Sequence, residues 1–577
     1  MHGVFFKHSV FDMLSFIKKI NNKQFFILAF FLALIFRFWG ITSQDIQNDH
    51  ALNASRALGW LDFLAGQGQT SPVSWFDKNP WWGSLSFHDH PPLVFFIQRV
   101  SFLLFGENSF VAFLPFALAG VGVTLIIFYM LRERLSEGSA ILAMVLVSIS
   151  SYSIWAARTG YLEGVQIFFI MLAVFFFVKF LEKQNPKFLY LWGAFMGLAI
   201  LCKYTSLFLI PAGIVHLAIF KRDVFKKKYF WLALLLFFVI LTPVIVYNFE
   251  VFRYRGHFDA ALSSMVGMKP KDYEVLSYRN LNANILNNIF FIFNIIRSNT
   301  SLPFFIAEMI ALVYVIFLAM KRANPFLYYI LLNVCFLIAM LSFSNPASRF
   351  LSIITPFLAI IFIIFIHDFW HKRLLEAPWK KYFGYLVIII FLGELFYMIN
   401  TNILARPYGK MNVAYSGFRH YNHGFLELEN YLEENVFGVL PKRQAVYSMK
   451  DLHYNDVKGR FIILFDERID WFSRVWYMQR YQMYYNMPFI SFTDLSLSLS
   501  QEENIFDALR KSGAKDFWFI GGVGDGVASR DNKEYNNVVE SFMELLEESG
   551  IHFQKEIKDY KKDTVFRIYH FNLEKKV

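Results

Sequence analysis

Ser86-Phe87-His88-Asp89-His90-Pro91-Pro92-Leu93 sets a carboxylate and two imidazoles directly against an apolar run, Pro92–Phe105. A second acidic segment, around Asp49, lies between this stretch and the first hydrophobic span. Ionisable groups beside long apolar segments are costly unless they line a wet, working cavity. The pattern implies a site built at a membrane surface and a substrate that is part lipid.

The composition agrees. Of 577 residues, 56% are hydrophobic and only 18% charged, with a mean hydropathy of +0.39. Soluble domains carry about a quarter charged residues, and many segments here reach the roughly 17–25 apolar residues that cross a bilayer. The expected architecture is an all-α polytopic membrane domain. The 70 Phe residues suit lipid-facing and interhelical packing. A net charge of +11 is no sign of nucleic acid, because the excess sits in short loops between spans, where it sets orientation. Cys202 and Cys335 both fall inside apolar stretches, which argues against a disulfide or a zinc motif. Phe25–Gly40 follows Lys18, Lys19 and Lys23 but no small-residue cleavage site follows it, so it reads as a retained anchor.

Eleven spans are predicted, at about 24–41, 109–131, 138–156, 161–181, 188–203, 204–220, 229–247, 303–320, 325–343, 349–367 and 381–399. Alternate loops are basic: Arg132 and Arg134; Lys179, Lys183 and Lys187; Lys221 to Lys228; Lys321 and Arg322; Lys372 to Lys381. Basic loops stay cytoplasmic, and the N-terminus joins them. Residues 42–108, 157–160, the tip near Lys203, 248–302, 344–348 and everything after 400 are then extracytoplasmic, in a multi-pass protein of the plasma membrane. Pro92–Phe105 cannot cross without reversing every later loop, so it is expected to lie in the outer interface. Lys203 falls at an external hairpin tip, since a lysine in mid-span would be a costly buried charge.

The chain therefore divides into 1–400, a transmembrane domain, and 401–577, a small extracytoplasmic α/β domain. In the latter, Ala445–Ser448, Phe461–Leu464, Asp516–Ile520 and Thr564–Tyr569 look like strands, and Asn504–Ser512 and Tyr535–Ser549 like amphipathic helices. Gly521-Gly522-Val523-Gly524-Asp525-Gly526 has neither the dinucleotide nor the P-loop spacing and reads as a plain turn.

With this topology the ionisable residues at span ends share one face: Asp49 and Arg56, Asp89 and His90, Arg158 and Glu163, Lys203 and Arg349. Taken singly, each is consistent with a solvated or snorkelling side chain. Taken together, Asp49, Lys203 and Arg349 favour a shared cavity. Cations bind phosphate oxygens, arginine bidentately, and neutralise a phosphate leaving group. An aspartate can orient or deprotonate an acceptor hydroxyl. The set describes transfer of a group from a lipid phosphate carrier to an acceptor outside the cytoplasm, and no Ser/His/Asp or Cys/His arrangement suggests a covalent intermediate. No cofactor is expected. Asp89 with His88 or His90 leaves a divalent cation as the lesser alternative. A transporter or flippase for lipid or lipid-linked sugar is the main rival, but it should place its polar groups near mid-membrane on pseudo-symmetric halves. A ligand-binding receptor would leave the outer cluster unexplained.

The first 220 residues or so also resemble the polytopic GT-C glycosyltransferases of the protein O-mannosyltransferase and aminoarabinose-lipid-A-transferase type (family 39 and its RgtA/B/C/D-like relatives). The resemblance rests on Asn48-Asp49 with Arg56; on His90-Pro91-Pro92-Leu93 followed by Phe105-Gly106-Glu107-Asn108-Ser109; on Ala157-Arg158-Thr159-Gly160-Tyr161-Leu162-Glu163; on Gly197-Leu198-Ala199-Ile200-Leu201-Cys202-Lys203-Tyr204; and, later, on Ser348-Arg349-Phe350 with Pro356. It implies a polyprenyl-phosphate-linked sugar donor and inversion at the anomeric carbon. It also implies Asp49 as the catalytic acidic residue, with Lys203 and Arg349 on the lipid phosphate and His90 where many members have lysine. Arg56, Asp89, Arg158 and Glu163 complete the expected substrate-binding set. The acceptor is a glycolipid, a polysaccharide or a protein hydroxyl. Asn48-Asp49-His50 departs from the commoner acidic pair, and His90 would make phosphate contact pH-dependent.

Overall fold

The computed structural model describes residues 21–60, 71–87, 90–273, 284–343, 347–371, 377–404, 422–438, 461–469, 471–485, 489–498, 504–524 and 533–573. Among these, seven helices are long and apolar enough to cross a membrane: the helix from Asn22, Ser109–Arg132, Glu163–Lys183, Leu302–Arg322, Pro325–Phe343, the segment ending at His371, and the one from Trp379. Two further helix pairs pass the same test together but are bent, by 60° between Glu137–Ile149 and Ser151–Arg158 and by 59° between Lys228–Ile240 and Thr242–Arg255. The two halves of the Lys203 hairpin, Pro186–Cys202 and Tyr204–Phe220, are shorter. Gly213 lies against the Trp192 ring, so the chain doubles back at Lys203 as expected.

The predicted spans 138–156 and 229–247 are thus each broken by a bend. The second has a local cause, Pro243 in the first turn of the new helix, which supplies no N–H to the preceding turn. The first is fixed from a distance. The Glu394 carboxylate accepts from the Ser151 N–H at 2.9 Å and, with its other oxygen, from the Ser301 N–H at 2.8 Å. One side chain thus satisfies orphan donors at the starts of two helices, where negative charge is also favoured by the helix dipole. Ile285–Ser298, inside the expected loop 248–302, is a helix. Leu93–Phe105 is the short helix foreseen for the interface.

After residue 404 the chain builds five strands, β1 (Ile462–Phe465), β2 (Phe489–Ser491), β3 (Asp516–Gly522), β4 (Phe553–Lys558) and β5 (Thr564–Asn572), in the order β2-β1-β3-β5-β4. β1 is parallel to both β2 and β3, whereas β5 runs antiparallel to β3 and β4. All four β1 residues are buried, as suits a strand covered on both faces. β2 and β4 were not anticipated, and Ala445–Ser448 lies outside the described residues. Successive side chains of β3 alternate between two cores. Phe517 and Phe519 join Leu509 and Phe542 from the helices Ile505–Lys511 and Lys533–Glu548. Ile520 joins Phe425, Leu428 and Tyr477. That second core continues into Ala51, Ala54 and Leu58 of the helix Asp49–Gly59. The sheet unit and the helix Asp49–Gly59 therefore share one apolar interior.

Candidate active site

The helix Asp49–Gly59 begins abruptly. Asn48 takes a φ of 52° with a ψ of −146°, outside the left-handed helical region, and turns the chain so that Asp49 occupies the first helical position. Residues 50 to 58 are all buried. Three contacts fix this helix against the turn before Glu163. Gln44 donates to the Arg158 carbonyl at 2.7 Å, Asn53 donates to the Gly160 carbonyl at 3.3 Å, and the His50 ring lies directly on Gly160. Burial pushes the His50 imidazole down to about 3, so it packs as a neutral ring, edge-on to Phe113 at 4.4 Å.

Four of the expected residues converge beside this helix. Arg349 Nη2 stands 2.8 Å from Asp49 Oδ2, and its Nε is 3.8 Å from Glu163 Oε1. Lys203 Nζ donates to the same Glu163 oxygen at 2.6 Å. The result is a chain of alternating sign, Lys203–Glu163–Arg349–Asp49, assembled from four separate segments. Its depth is graded. The side chains of Glu163 and Lys203 are 1% and 8% exposed, whereas Arg349 and Asp49 are 22% and 25% exposed. The charges compensate one another in the buried half and open to solvent at Asp49.

Residues the sequence reading missed hold this chain in place. Gln166, one turn after Glu163 on the same helix face, donates to the Lys203 carbonyl, to Thr205 Oγ1 and to Ser206 Oγ at 3.2, 2.8 and 2.7 Å. Phe350 lies under both cations, 4.2 Å from Lys203 Nζ and 5.4 Å from the Arg349 guanidinium carbon, and Tyr161 flanks Arg349 at 5.5 Å. Such ring faces favour a cation electrostatically. Tyr204 donates to the buried Asp259 at 2.5 Å, which ties the Lys203 turn to the segment after Thr242–Arg255. Only the i+3 spacing of Gln166 was visible in the sequence; the other contacts join distant segments.

Arg158 and Arg56 make other contacts. The Arg158 guanidinium donates to the carbonyls of Phe36, Trp39 and Gly40, at 3.3, 2.7 and 3.4 Å, and so caps the C-terminal end of the helix Asn22–Phe38. Arg56 is buried with its guanidinium 5.9 Å from the centre of the Phe95 ring. The backbones of His90 and Phe87 exchange two hydrogen bonds, at 2.9 and 2.6 Å, around His88 and Asp89. His88 and Asp89 lie outside the described residues, and with them the cation alternative. Among the described residues no three His, Cys, Asp or Glu side chains are placed to hold a metal ion.

A further acid, Asp45, was not anticipated. It accepts from the backbone N–H groups of His423, Phe425 and Leu426 at 2.6, 3.4 and 2.9 Å, at the start of the helix Phe425–Leu432. Burial pushes its carboxyl up to about 6 against the pull of these donors. The next residue, Ile46, donates its N–H to the Tyr477 hydroxyl at 2.6 Å.

Fold and site together define a polytopic membrane protein of the GT-C glycosyltransferase fold. Residues 89–247 match the family model described as dolichyl-phosphate-mannose-protein mannosyltransferase. Two Bacillus subtilis proteins described provisionally as mannosyltransferases are similar over part of their length. YycA is 28% identical over 155 residues, 27% of this chain and 22% of its own, and YkcB is 29% identical over 143 residues, 24% and 20% respectively. The chain thus spans about a fifth of these relatives. Among solved structures, ArnT from Cupriavidus metallidurans bound to undecaprenyl phosphate superposes with a TM-score of 0.52 at 12% identity, covering 94% of this chain and 97% of that one. Its apo form gives 0.50 at 13% identity. These likenesses concern the fold.

Proposed function

We propose that this protein is an integral-membrane glycosyltransferase that moves a sugar from a polyprenyl-phosphate donor to an acceptor hydroxyl on the extracytoplasmic face. The observation that carries the reading is the graded ion chain. Its open end presents a carboxylate, which touches Arg349, with Lys203 behind it across Glu163. The match of residues 89–247 to a mannosyltransferase family and the fold of the undecaprenyl-phosphate-bound ArnT support the same class of donor.

In this mechanism the lipid phosphate oxygens draw on Arg349, and on Lys203 behind it, as charge-assisted donors. Asp49, released from Arg349, accepts the proton of the acceptor hydroxyl as its oxygen bonds to the anomeric carbon. The bond from that carbon to the phosphate oxygen breaks with its electron pair on the phosphate, where the two cations stabilise it. A single displacement inverts the anomeric centre. The acceptor is a glycolipid, polysaccharide or protein hydroxyl. The basic loops, from Arg132 and Arg134 to Lys380 and Lys381, support a cytoplasmic N-terminus and an extracytoplasmic sheet unit, 401–577.

Asp49→Asn tests the assignment. It keeps the size of the side chain and removes its basicity, so sugar transfer from polyprenyl-phosphate-sugar in isolated membranes should fall about 10²–10⁴-fold with expression unchanged. Transfer at the wild-type rate would show that Asp49 is not the base.

A further inference from the structure

The helices whose first residues build the candidate site carry a second polar cluster at their other ends. Glu163–Lys183 runs from Glu163 to Glu182, and the span that contains Arg349 ends with His367, Asp368 and His371. At about 1.5 Å per residue the two clusters are roughly 30 Å apart, on opposite membrane faces. Here a cavity of about 450 Å³ is lined by Arg134, Glu182, Arg322, His367, Asp368 and His371, with an apolar wall that includes Leu318. Arg134 Nη2 is 2.5 Å from Glu182 Oε1, and Arg322 Nη1 is 2.9 Å from Asp368 Oδ1.

Two guanidiniums and two carboxylates make the cavity a balanced pair of dipoles, with two imidazoles beside them. A purely anionic ligand would meet both carboxylates, and a purely cationic one both guanidiniums. A ligand that carries both charges can pair with each. The surroundings indicate that it is a lipid. Beside the charged groups the cavity wall is apolar, formed by Leu135, Val178, Leu181, Leu318 and Phe326 at the end of the membrane-spanning helices. We propose that this cavity seats the headgroup of a zwitterionic phospholipid with a primary ammonium. The phosphate sits on Arg322 and Arg134, the ammonium on Asp368 and Glu182, and an acyl chain follows the apolar wall at Leu181 and Leu318. This site is independent of the sugar-transfer reading.

Native mass spectrometry of the purified full-length protein, offered dioleoyl phosphatidylethanolamine, phosphatidylcholine or phosphatidylglycerol at equal concentration, tests it. Phosphatidylethanolamine should be retained about tenfold over phosphatidylcholine, whose methylated amine cannot donate to the carboxylates. Phosphatidylglycerol, which offers them no cation, should be retained least. In a Glu182→Gln/Asp368→Asn variant the preference for phosphatidylethanolamine over phosphatidylglycerol should vanish. Arg322→Gln alters a side chain that is 53% exposed and leaves the fold intact; it should lower retention of both phosphatidylethanolamine and phosphatidylcholine. Equal retention of the three lipids by the wild type, an unaltered preference in the double variant, or unaltered retention in Arg322→Gln would each overturn the proposal.

Discussion

Lys203 and Glu163 are buried together, and their fates are linked. Removing one partner of a buried pair leaves the other charge uncompensated, at a cost of about 3–5 kcal/mol, whereas replacing both with uncharged groups of similar size is often neutral. Lys203→Ala should therefore lower thermal stability sharply, and Glu163→Gln/Lys203→Met should recover most of the loss while transfer stays low. Thermal unfolding in detergent, set beside transfer assays, separates the two roles; a double variant as unstable as Lys203→Ala would show that the pair matters by shape and not by charge. The convergence of Asp49, Lys203 and Arg349 was legible because each stands next to a span end and the predicted topology sends those ends to one face; Glu163, which read as easily as a solvated side chain, joins them between the two cations. Arg158 stands at a span end too, but its partners are backbone carbonyls at the end of another helix, and carbonyls leave no mark on a sequence. Asp45 was hidden for the same reason, since it binds three backbone N–H groups more than 370 positions away.

At the scale of elements, the helix Asp49–Gly59 is aligned by its contact with the turn before Glu163. A Cβ on Gly160 would stand 1.8 Å from the His50 ring, which is buried and has no room to retreat. Gly160→Ala should destabilise by about 1–3 kcal/mol, as overpacked interiors do, and a second change, His50→Ala, should relieve it; a single variant as stable as the wild type would mean that the helix shifts freely. His50 also predicts a pH dependence. Its folded value, about 3, lies below the 6.5 of an unfolded histidine. The unfolded chain thus binds the proton first, and stability that is fully present above pH 6.5 declines as pH falls from there towards 3, by up to about 1.4 kcal/mol per unit. Thermal unfolding of wild type and His50→Gln across that range should show the steeper decline in the wild type; parallel curves would refute it. Many spans and the strands β1, β3 and β5 were readable from apolar runs; β2 was too short, and β4, FQKEIK, too polar. The bend before Ser151 was not readable, because its cause, Glu394, lies in another span. The bend before Thr242 had a local sign in Pro243, in the middle of an otherwise continuous run.

For the molecule as a whole, the sheet unit and the transmembrane bundle meet through the Asp49 helix. Asp45 and Ile46 bond to the unit just before that helix, Phe102 stacks on Trp476 at 5.9 Å, and Tyr484 donates to Glu107. Asp45→Ala leaves buried N–H groups at the start of Phe425–Leu432 without their acceptor, a loss of about 1–3 kcal/mol. It should speed hydrogen exchange in that helix and in Asp49–Gly59 together; faster exchange in the first alone would show that the two are not mechanically joined. The overall class of the molecule followed from composition. The docking of its two parts did not, since it depends on pairings across hundreds of positions. Those pairings have a consequence for biogenesis. Ile46 and Tyr477 are 431 positions apart, so a nascent chain inserts its bundle long before the packing partner of the Asp49 helix has been translated. Truncated products would leave that helix with its inward side wet.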